Sequence, residues 1–309
     1  MARLTDRLRH DAADRLKEAT PLHLRRRLVK LRLATRTHTA GMRTLPDVLI
    51  IGAQRSGTSS LYKYLGRHPN VAPSLRKEIQ YFSVDFAEGE HWYRAHFPLA
   101  LRRWAARLFR RPFLTFEATP DYLLDPRAPQ RAKQLVPDAR LIVILREPAD
   151  RAVSHYHHSV RTRLEDLDID AAFQAEKARL DGEIERALAD PTYPALALRR
   201  YSYVTRGRYA EQIERWLEHY PRRQLLILRS ESLFTNPTET FRRILDFIGL
   251  PHWEPPEFRN YSYRSGSDTE YPEPPASVRD FLEGELRSPN ERLVELLGEE
   301  FRWDDPVTS

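Results

Sequence analysis

The stretch Gly52-Ala-Gln-Arg-Ser-Gly-Thr-Ser59 has the residue types of a loop that binds phosphate. It follows an apolar run at Val48–Ile51 that is typical of a buried strand, and a helical pattern begins at Thr58. Its glycines would let backbone N–H groups turn inward, toward the positive end of the helix dipole. The place after Gly57 holds threonine, whereas a Walker A loop requires lysine there. A purely structural turn is the alternative at this point.

A second set of polar residues follows the apolar run Leu141–Leu145. Arg146 ends this run, and Ser154 comes about two helical turns later. P-loop ATPases and GTPases usually place an acid here that helps to hold magnesium, whereas arginine suits a phosphate. If both runs belong to one parallel sheet, the two polar segments lie at the same edge. Together they predict a site for two phosphates and no metal.

Three nearby histidines, His155, His157 and His158, raise the question of a metal site. On a helix these three positions do not converge on one face. Acidic ligands at matching spacing are also missing from this stretch. The pattern therefore favours a polar helix that faces a cofactor or an acceptor.

These segments must be positioned by the elements around them, and apolar strands alternate with helices along the chain. We predict an α/β fold: a P-loop-like three-layer sandwich with a central parallel sheet flanked by helices. A proline-rich stretch, 251–275, is expected to be a long irregular loop that covers or lines a site. The predicted strands are 47–51, 113–117, 140–145 and 224–228. The predicted helices are 58–67, 126–135, one from Pro148, 171–189, 203–220, 237–248 and 290–297.

Composition limits the class of protein. The 309 residues include no cysteine, which excludes disulfides and thiolate chemistry and suits a reducing cytosol, so we expect a cytoplasmic protein. No apolar run approaches the roughly 20 residues of a transmembrane helix. Residues 1–46 carry a net charge of +8 and the remainder −2. A basic excess confined to one end does not predict nucleic acid as the main partner.

The basic N-terminal segment has two interpretations. Pro21–Arg36 mixes leucines with arginines at loosely helical spacing. It could be a solvated helix or flexible lead-in, or a helix that makes peripheral contact with an anionic membrane. The sequence leaves both open. We divide the chain into a basic tail or helix at 1–45 and one enzyme domain at 46–305.

Two long motifs and three short ones resemble the sulfotransferase family that uses 3′-phosphoadenosine 5′-phosphosulfate. The long motifs are LPDVLIIGAQRSGTSSLYKYLGRHPNV and LIVILREPADRAVSHY, and the short ones are KEIQYF, EATPDYL and PNERLVELLGEEFRW. The resemblance is to heparan sulfate N- and 3-O-sulfotransferase domains and their bacterial relatives. It covers about Leu45 to Trp303.

The resemblance implies the residues that hold the sulfate donor. The 5′-phosphosulfate would be held by Arg55, Ser56, Gly57, Thr58 and Ser59, and the 3′-phosphate by Arg146 and Ser154. Arg55 would also stabilise charge on the leaving phosphate during in-line transfer.

The resemblance also implies a general base. Glu78, in the KEIQYF motif, lies where these relatives carry the carboxylate that removes the acceptor's proton. From the residues alone, Glu117 and Asp121 would rank equally with it. The expected acceptor is a hydroxyl or amine of a glycan, glycolipid or secondary metabolite.

Three positions depart from the family pattern. Arg55 stands where many relatives have lysine, and Ala118 stands where the 3-O enzymes carry a lysine in an EKTP segment. The cysteine-bridged cofactor loop is replaced by 260–266, where Arg264 is expected to contact the donor. The alternatives are a P-loop kinase or hydrolase, and a protein that binds a nucleotide or sulfated ligand without catalysis.

Overall fold

Five parallel strands form the central sheet of the protein. The computed structural model describes residues 22–261 and 272–303. The strands are β1 (Val48–Gly52), β2 (Val71–Pro73), β3 (Leu114–Ala118), β4 (Arg140–Leu145) and β5 (Leu225–Arg229). Their order in the sheet is β2-β3-β1-β4-β5, so β1 lies in the middle. Four of the strands were predicted; β2 was not, because three residues that end in proline show no periodicity.

Helices cover both faces of this sheet, which confirms the predicted α/β sandwich. The first seven are α1 (Leu22–Thr37), α2 (Thr58–Gly66), α3 (Gly89–Arg94), α4 (Ala100–Leu108), α5 (Ala128–Leu135), α6 (Pro148–Arg161) and α7 (Ile169–Arg179). The next six are α8 (Glu183–Ala189), α9 (Leu196–Tyr201), α10 (Tyr209–Leu217), α11 (Ser230–Thr235), α12 (Pro237–Ile248) and α13 (Ala276–Leu297).

The strands alternate side chains between two buried layers, as a strand with period two must. From β1, Leu49 and Ile51 join one apolar cluster with Trp216 of α10. Val48 and Ile50 join the other, with residues of α2 and α12. All five residues of β1 are buried, as expected for a strand covered on both faces.

Three predicted helices have clearly different bounds in the structure. The helix predicted at 203–220 is shorter, at Tyr209–Leu217, and follows a 3-10 turn at Thr205–Gly207. The single helix predicted at 171–189 is divided into α7 and α8 at Gly182, whose φ is +67°. The helix predicted at 290–297 begins earlier, at Ala276, and continues through Pro289. Pro289 lies inside this helix, although proline has no N–H to donate within a helix interior.

The described part of the basic N-terminal segment packs against the chain between α3 and α4. Leu33 of α1 is buried. Arg36 and Arg43 both donate hydrogen bonds to the backbone carbonyl of Phe97, and Arg43 forms a backbone bridge with Leu99. This part of the chain is therefore not a flexible lead-in. Among the described residues, no helix combines the length and apolarity needed to cross a membrane.

Candidate active site

The loop after β1 turns sharply into α2 at the carboxyl edge of the sheet. Gly57 has a φ of +92°, and a Cβ atom there would lie 3.1 Å from the Phe234 ring. Arg55 also has a positive φ, 70°. Because the first amides of a helix have no partner within it, the amino end of α2 presents N–H groups at this edge. The local structure is that of an anion-binding loop.

Arg55 is brought to Ser154, almost a hundred residues later in the chain. Its Nε donates a hydrogen bond to the Ser154 hydroxyl over 3.1 Å. Ser154 lies on α6, which follows β4, and β4 is the neighbour of β1. The sequence predicts that these two residues hold different phosphate groups, and the structure brings their side chains into direct contact.

Arg146 lies at the same edge, directly after β4. Its guanidinium pairs with Asp150 at 3.1 Å, one helical turn further on. The hydroxyl of Tyr209 donates to the Arg146 carbonyl over 2.9 Å. Glu147 caps α6 by accepting from two backbone N–H groups, so the turn that carries Arg146 is firmly held.

The remaining loop residues differ in accessibility. Ser56 is fully buried, and its N–H points to the Ala53 carbonyl at 3.3 Å. Its hydroxyl has no hydrogen-bond partner in the described part of the chain. Thr58 is buried and Ser59 is partly exposed at the start of α2. An orphaned hydroxyl beside free helix amides fits a bound anion, which would accept from both.

Glu78 is held at the end of β3, next to the strand that feeds the loop. Its N–H donates to the carbonyl of Ala118 over 2.9 Å. Its φ is +60°, an uncommon conformation outside glycine. The side chain is 47% exposed and lies 2.5 Å from the Lys77 ammonium. The backbone is therefore fixed while the carboxylate faces solvent.

The carboxyl group of Glu117, unlike that of Glu78, is enclosed by the protein. It is completely buried on β3 and accepts hydrogen bonds from Tyr93 (2.5 Å), Thr119 (3.0 Å) and Tyr122 (3.2 Å). Burial raises its pKa to about 7, although the three hydroxyl donors lower it. No acceptor can reach a carboxyl group enclosed in this way.

Asp121 is also engaged within the protein. Burial acts to raise its pKa, but the guanidinium groups of Arg206 (2.8 Å) and Arg199 (3.4 Å) outweigh burial and the pKa is lowered. Of the three acids that ranked equally on residue type, Glu78 alone presents an exposed carboxylate.

The irregular segment after α12 packs against α2. The N–H of Tyr261 donates to the Ser60 hydroxyl over 2.9 Å, and the Tyr64 hydroxyl donates to the carbonyl of Arg259 over 2.8 Å. Lys63 and Arg67 both approach the Tyr261 ring. This segment therefore borders the helix that follows the loop. Arg264, the predicted donor contact, lies outside the described residues.

The three histidines of α6 do not form a ligand set. His155 is buried against the Tyr203 ring, and burial holds its pKa well below the usual range. Across the described residues, no three His, Asp or Glu side chains are grouped to hold a metal.

The structure adds contacts that sequence reasoning missed. Asp150 could have been noticed, since it follows Arg146 by four residues on a predicted helix. The Tyr209 and Ser60 contacts join elements distant in sequence, and no local signal indicates them.

Comparison with known proteins agrees with this geometry. Residues 45–265 match the sulfotransferase domain family. The chain belongs to that family.

Individual relatives are similar over much of the chain. It is 31% identical over 212 residues to heparan sulfate glucosamine 3-O-sulfotransferase 3B1 of Mus musculus, which covers 68% of this chain and 48% of that protein. It is 31% identical over 279 residues to bifunctional heparan sulfate N-deacetylase/N-sulfotransferase 3 of Homo sapiens, which covers 82% and 30%. The chain thus spans less than half the length of these curated relatives.

One solved structure supports the fold directly. A sulfotransferase from Alicyclobacillus acidocaldarius superposes with a TM-score of 0.57 at 26% identity, covering 82% of this chain and 96% of that one.

Proposed function

We propose that this protein is a sulfotransferase that moves a sulfuryl group from 3′-phosphoadenosine 5′-phosphosulfate to a hydroxyl or amine of a carbohydrate. The observation that carries the proposal is the contact between Arg55 and Ser154. It brings the loop after β1 and the helix after β4 together, and we propose that the two phosphate groups of one nucleotide bind there. A kinase or hydrolase of the P-loop type would need a lysine at Thr58 and an acid at Arg146.

The residues at this edge divide the work of holding the donor. Arg55 and the amino end of α2 would hold the 5′-phosphosulfate, while Arg146 and Ser154 would hold the 3′-phosphate. When bound, the donor supplies the sulfuryl group and leaves as adenosine 3′,5′-bisphosphate. Fixed cations and backbone dipoles stabilise negative charge without reorganising, so we propose that no metal ion takes part.

Glu78 is proposed as the general base. Its carboxylate is exposed at the carboxyl edge of β3, beside β1, and its backbone is fixed by Ala118. It would accept the proton of the acceptor as the nucleophile attacks sulfur. Lys77, in contact with it at 2.5 Å, would hold the carboxylate in place.

The acceptor class is proposed from the relatives, whose names specify heparan sulfate and, for the 3-O-sulfotransferase, its glucosamine. We propose a carbohydrate acceptor, and we keep N- and O-sulfation as two outcomes of the test. Location is proposed on composition: a cysteine-free chain suits the cytoplasm. The leucines that α1 exposes, Leu24, Leu28 and Leu31, support peripheral membrane contact through the basic segment.

The test is transfer of radiolabelled sulfate from the donor to a set of polysaccharides by the full chain. The set contains an unsulfated heparan backbone, its N-deacetylated form and an N-sulfated form. We expect label on at least one of them, and loss of that label with Glu78→Gln. A chain that binds adenosine 3′,5′-bisphosphate but labels no acceptor would support the non-catalytic alternative.

A further inference from the structure

Helix α4 is amphipathic, but its apolar face points to solvent and not to the protein core. No residue of this helix is buried. Leu101, Trp104 and Leu108, which share one helical face, are 65%, 62% and 66% exposed. Phe109, directly after the helix, is 72% exposed. An apolar stripe of this kind normally packs against the core, and here it meets water.

The side of α4 that meets the protein is basic. Arg103 reaches the Asp47 carboxylate at 2.6 Å, and the Arg102 guanidinium stacks over the Phe113 ring at 5.6 Å. Polar contacts thus hold the helix in place and leave its leucine and tryptophan face outward. The arrangement is specific, because a rotation of the helix would break both arginine contacts.

The charge around this face has one sign. Residues 100–113 contain five arginines and no acidic residue. Arg107, Arg110 and Arg111 are exposed. We name Leu101, Trp104, Leu108 and Phe109 with these three arginines the α4 patch. Exposed apolar side chains rimmed by cations match the boundary of an anionic bilayer, where acyl chains lie below and phosphates lie above.

A second basic helix reaches the same place. The end of α1 is held by the Phe97 carbonyl, which lies three residues before α4 begins. Between 22 and 37 the chain has no acidic residue. The end of α1, which lies close to the start of α4, therefore carries the same charge sign.

We propose that the α4 patch docks the protein on an anionic lipid surface, with Leu101, Trp104 and Leu108 entering the interface and the arginines contacting phosphates. A second copy of this chain fits poorly, because a symmetric contact places the patch opposite itself and brings its arginines together. A lipid surface supplies both the apolar layer and the negative charge. The proposal does not depend on the sulfotransferase activity.

The experiment is co-sedimentation of the full chain with vesicles of phosphatidylcholine alone or mixed with phosphatidylserine. We expect binding to the mixed vesicles that weakens as salt rises. The triple variant L101S/W104S/L108S should lower that binding by about tenfold or more, because it removes most of the apolar area that the α4 patch would bury in the bilayer. Leu188→Ser, at an exposed leucine on α8, is the matched control and should bind as the wild type does.

Two further measurements separate the proposal from its rivals. The L24S/L28S/L31S variant removes the outward leucines of α1; if it abolishes binding while the α4 variant does not, the α4 proposal is wrong. Analytical ultracentrifugation of the wild type tests self-association; a dimer that dissociates in the α4 variant would overturn lipid docking. Unchanged affinity of the α4 variant for adenosine 3′,5′-bisphosphate shows that it is folded and that a loss of docking is not a loss of the catalytic site.

Discussion

The Nε atom of Arg55 and the hydroxyl of Ser154 are joined by a hydrogen bond of 3.1 Å, across the boundary between the loop after β1 and the helix after β4. This contact makes one polar surface from residues of two βα units. Arg146 directly follows β4, the strand beside β1. In the proposed function, a nucleotide with two phosphate groups engages both units at once.

Nucleotide affinity should depend on that second phosphate. We expect adenosine 3′,5′-bisphosphate to bind much more tightly than adenosine 5′-phosphate, without magnesium. Arg146→Ala should weaken the bisphosphate on the order of a hundredfold, since an arginine–phosphate pair is worth a few kcal/mol, and should affect the monophosphate little. Isothermal calorimetry measures both. Arg161→Ala, on an exposed arginine at the end of α6, is the control; equal wild-type affinity for the two nucleotides would refute the two-phosphate site.

Glu78→Gln should lower turnover by about 10²–10⁴-fold, because the amide keeps the shape but cannot take a proton. Affinity for adenosine 3′,5′-bisphosphate should stay close to that of the wild type, since the role belongs to the transition state. Steady-state rates with saturating donor measure the first effect, and calorimetry measures the second. The variant His158→Gln tests an imidazole of α6 as an alternative base in parallel. Near-normal turnover in Glu78→Gln would show that another residue is the general base.

Glu117 should make stability depend on pH. Its pKa is raised from 4.5 to about 7 in the folded protein, chiefly by burial. Between these two pH values the folded state therefore holds a proton that the unfolded state has lost. Its contribution to stability is therefore fully present below about pH 4.5 and is lost as the pH rises through 7. The loss amounts to about 3 kcal/mol.

Glu117→Gln isolates that contribution, because the amide stays neutral. Relative to the wild type, the variant should gain about 3 kcal/mol in free energy of unfolding between pH 4.5 and pH 8. Urea denaturation at the two values measures this difference, and background titrations cancel between the two proteins. A difference that stays constant with pH would show that the carboxyl group is already ionised in the fold near pH 5.

Gly57→Ala should damage both the loop and the fold. The left-handed backbone at φ +92° costs a residue with a Cβ roughly 1–2 kcal/mol. The new Cβ would also press on the Phe234 ring at 3.1 Å. Thermal unfolding and nucleotide titration measure the two effects. Gly284→Ala is the matched control: it lies inside α13 with open space around it and should gain roughly 0.5–1 kcal/mol. If Gly57→Ala behaves like Gly284→Ala, the loop conformation is not required.

Much of the fold was predictable because its signals are local. The apolar runs at 48–51 and 141–145 identify buried strands without any knowledge of their neighbours. The glycines at 52 and 57 mark the turn between a strand and a helix. The position of Arg146 at the carboxyl edge of the sheet was predictable because it directly follows an apolar strand.

The ranking of the acids was not predictable from residue types. Glu117 and Glu78 differ because Tyr93 and Tyr122 enclose one carboxyl group, and the tertiary packing of distant segments decides this. The orientation of α4 was also not predictable from the sequence. A helical pattern shows which residues share a face, but only the ion pair between Arg103 and Asp47 shows which face meets the protein.

Asp47 directly precedes β1 and Gly52 ends it, so the two residues lie at opposite edges of the sheet. Five residue steps of extended chain separate them by roughly 17 Å. Arg103 ties α4 to the Asp47 end, while the nucleotide loop begins at the Gly52 end. A protein resting on lipid through α4 would therefore hold the proposed nucleotide loop at the far edge of the sheet from the Arg103–Asp47 contact. Sugars that diffuse in water, or glycan chains tall enough to rise from the membrane, would reach the sulfuryl group, and short headgroups would not.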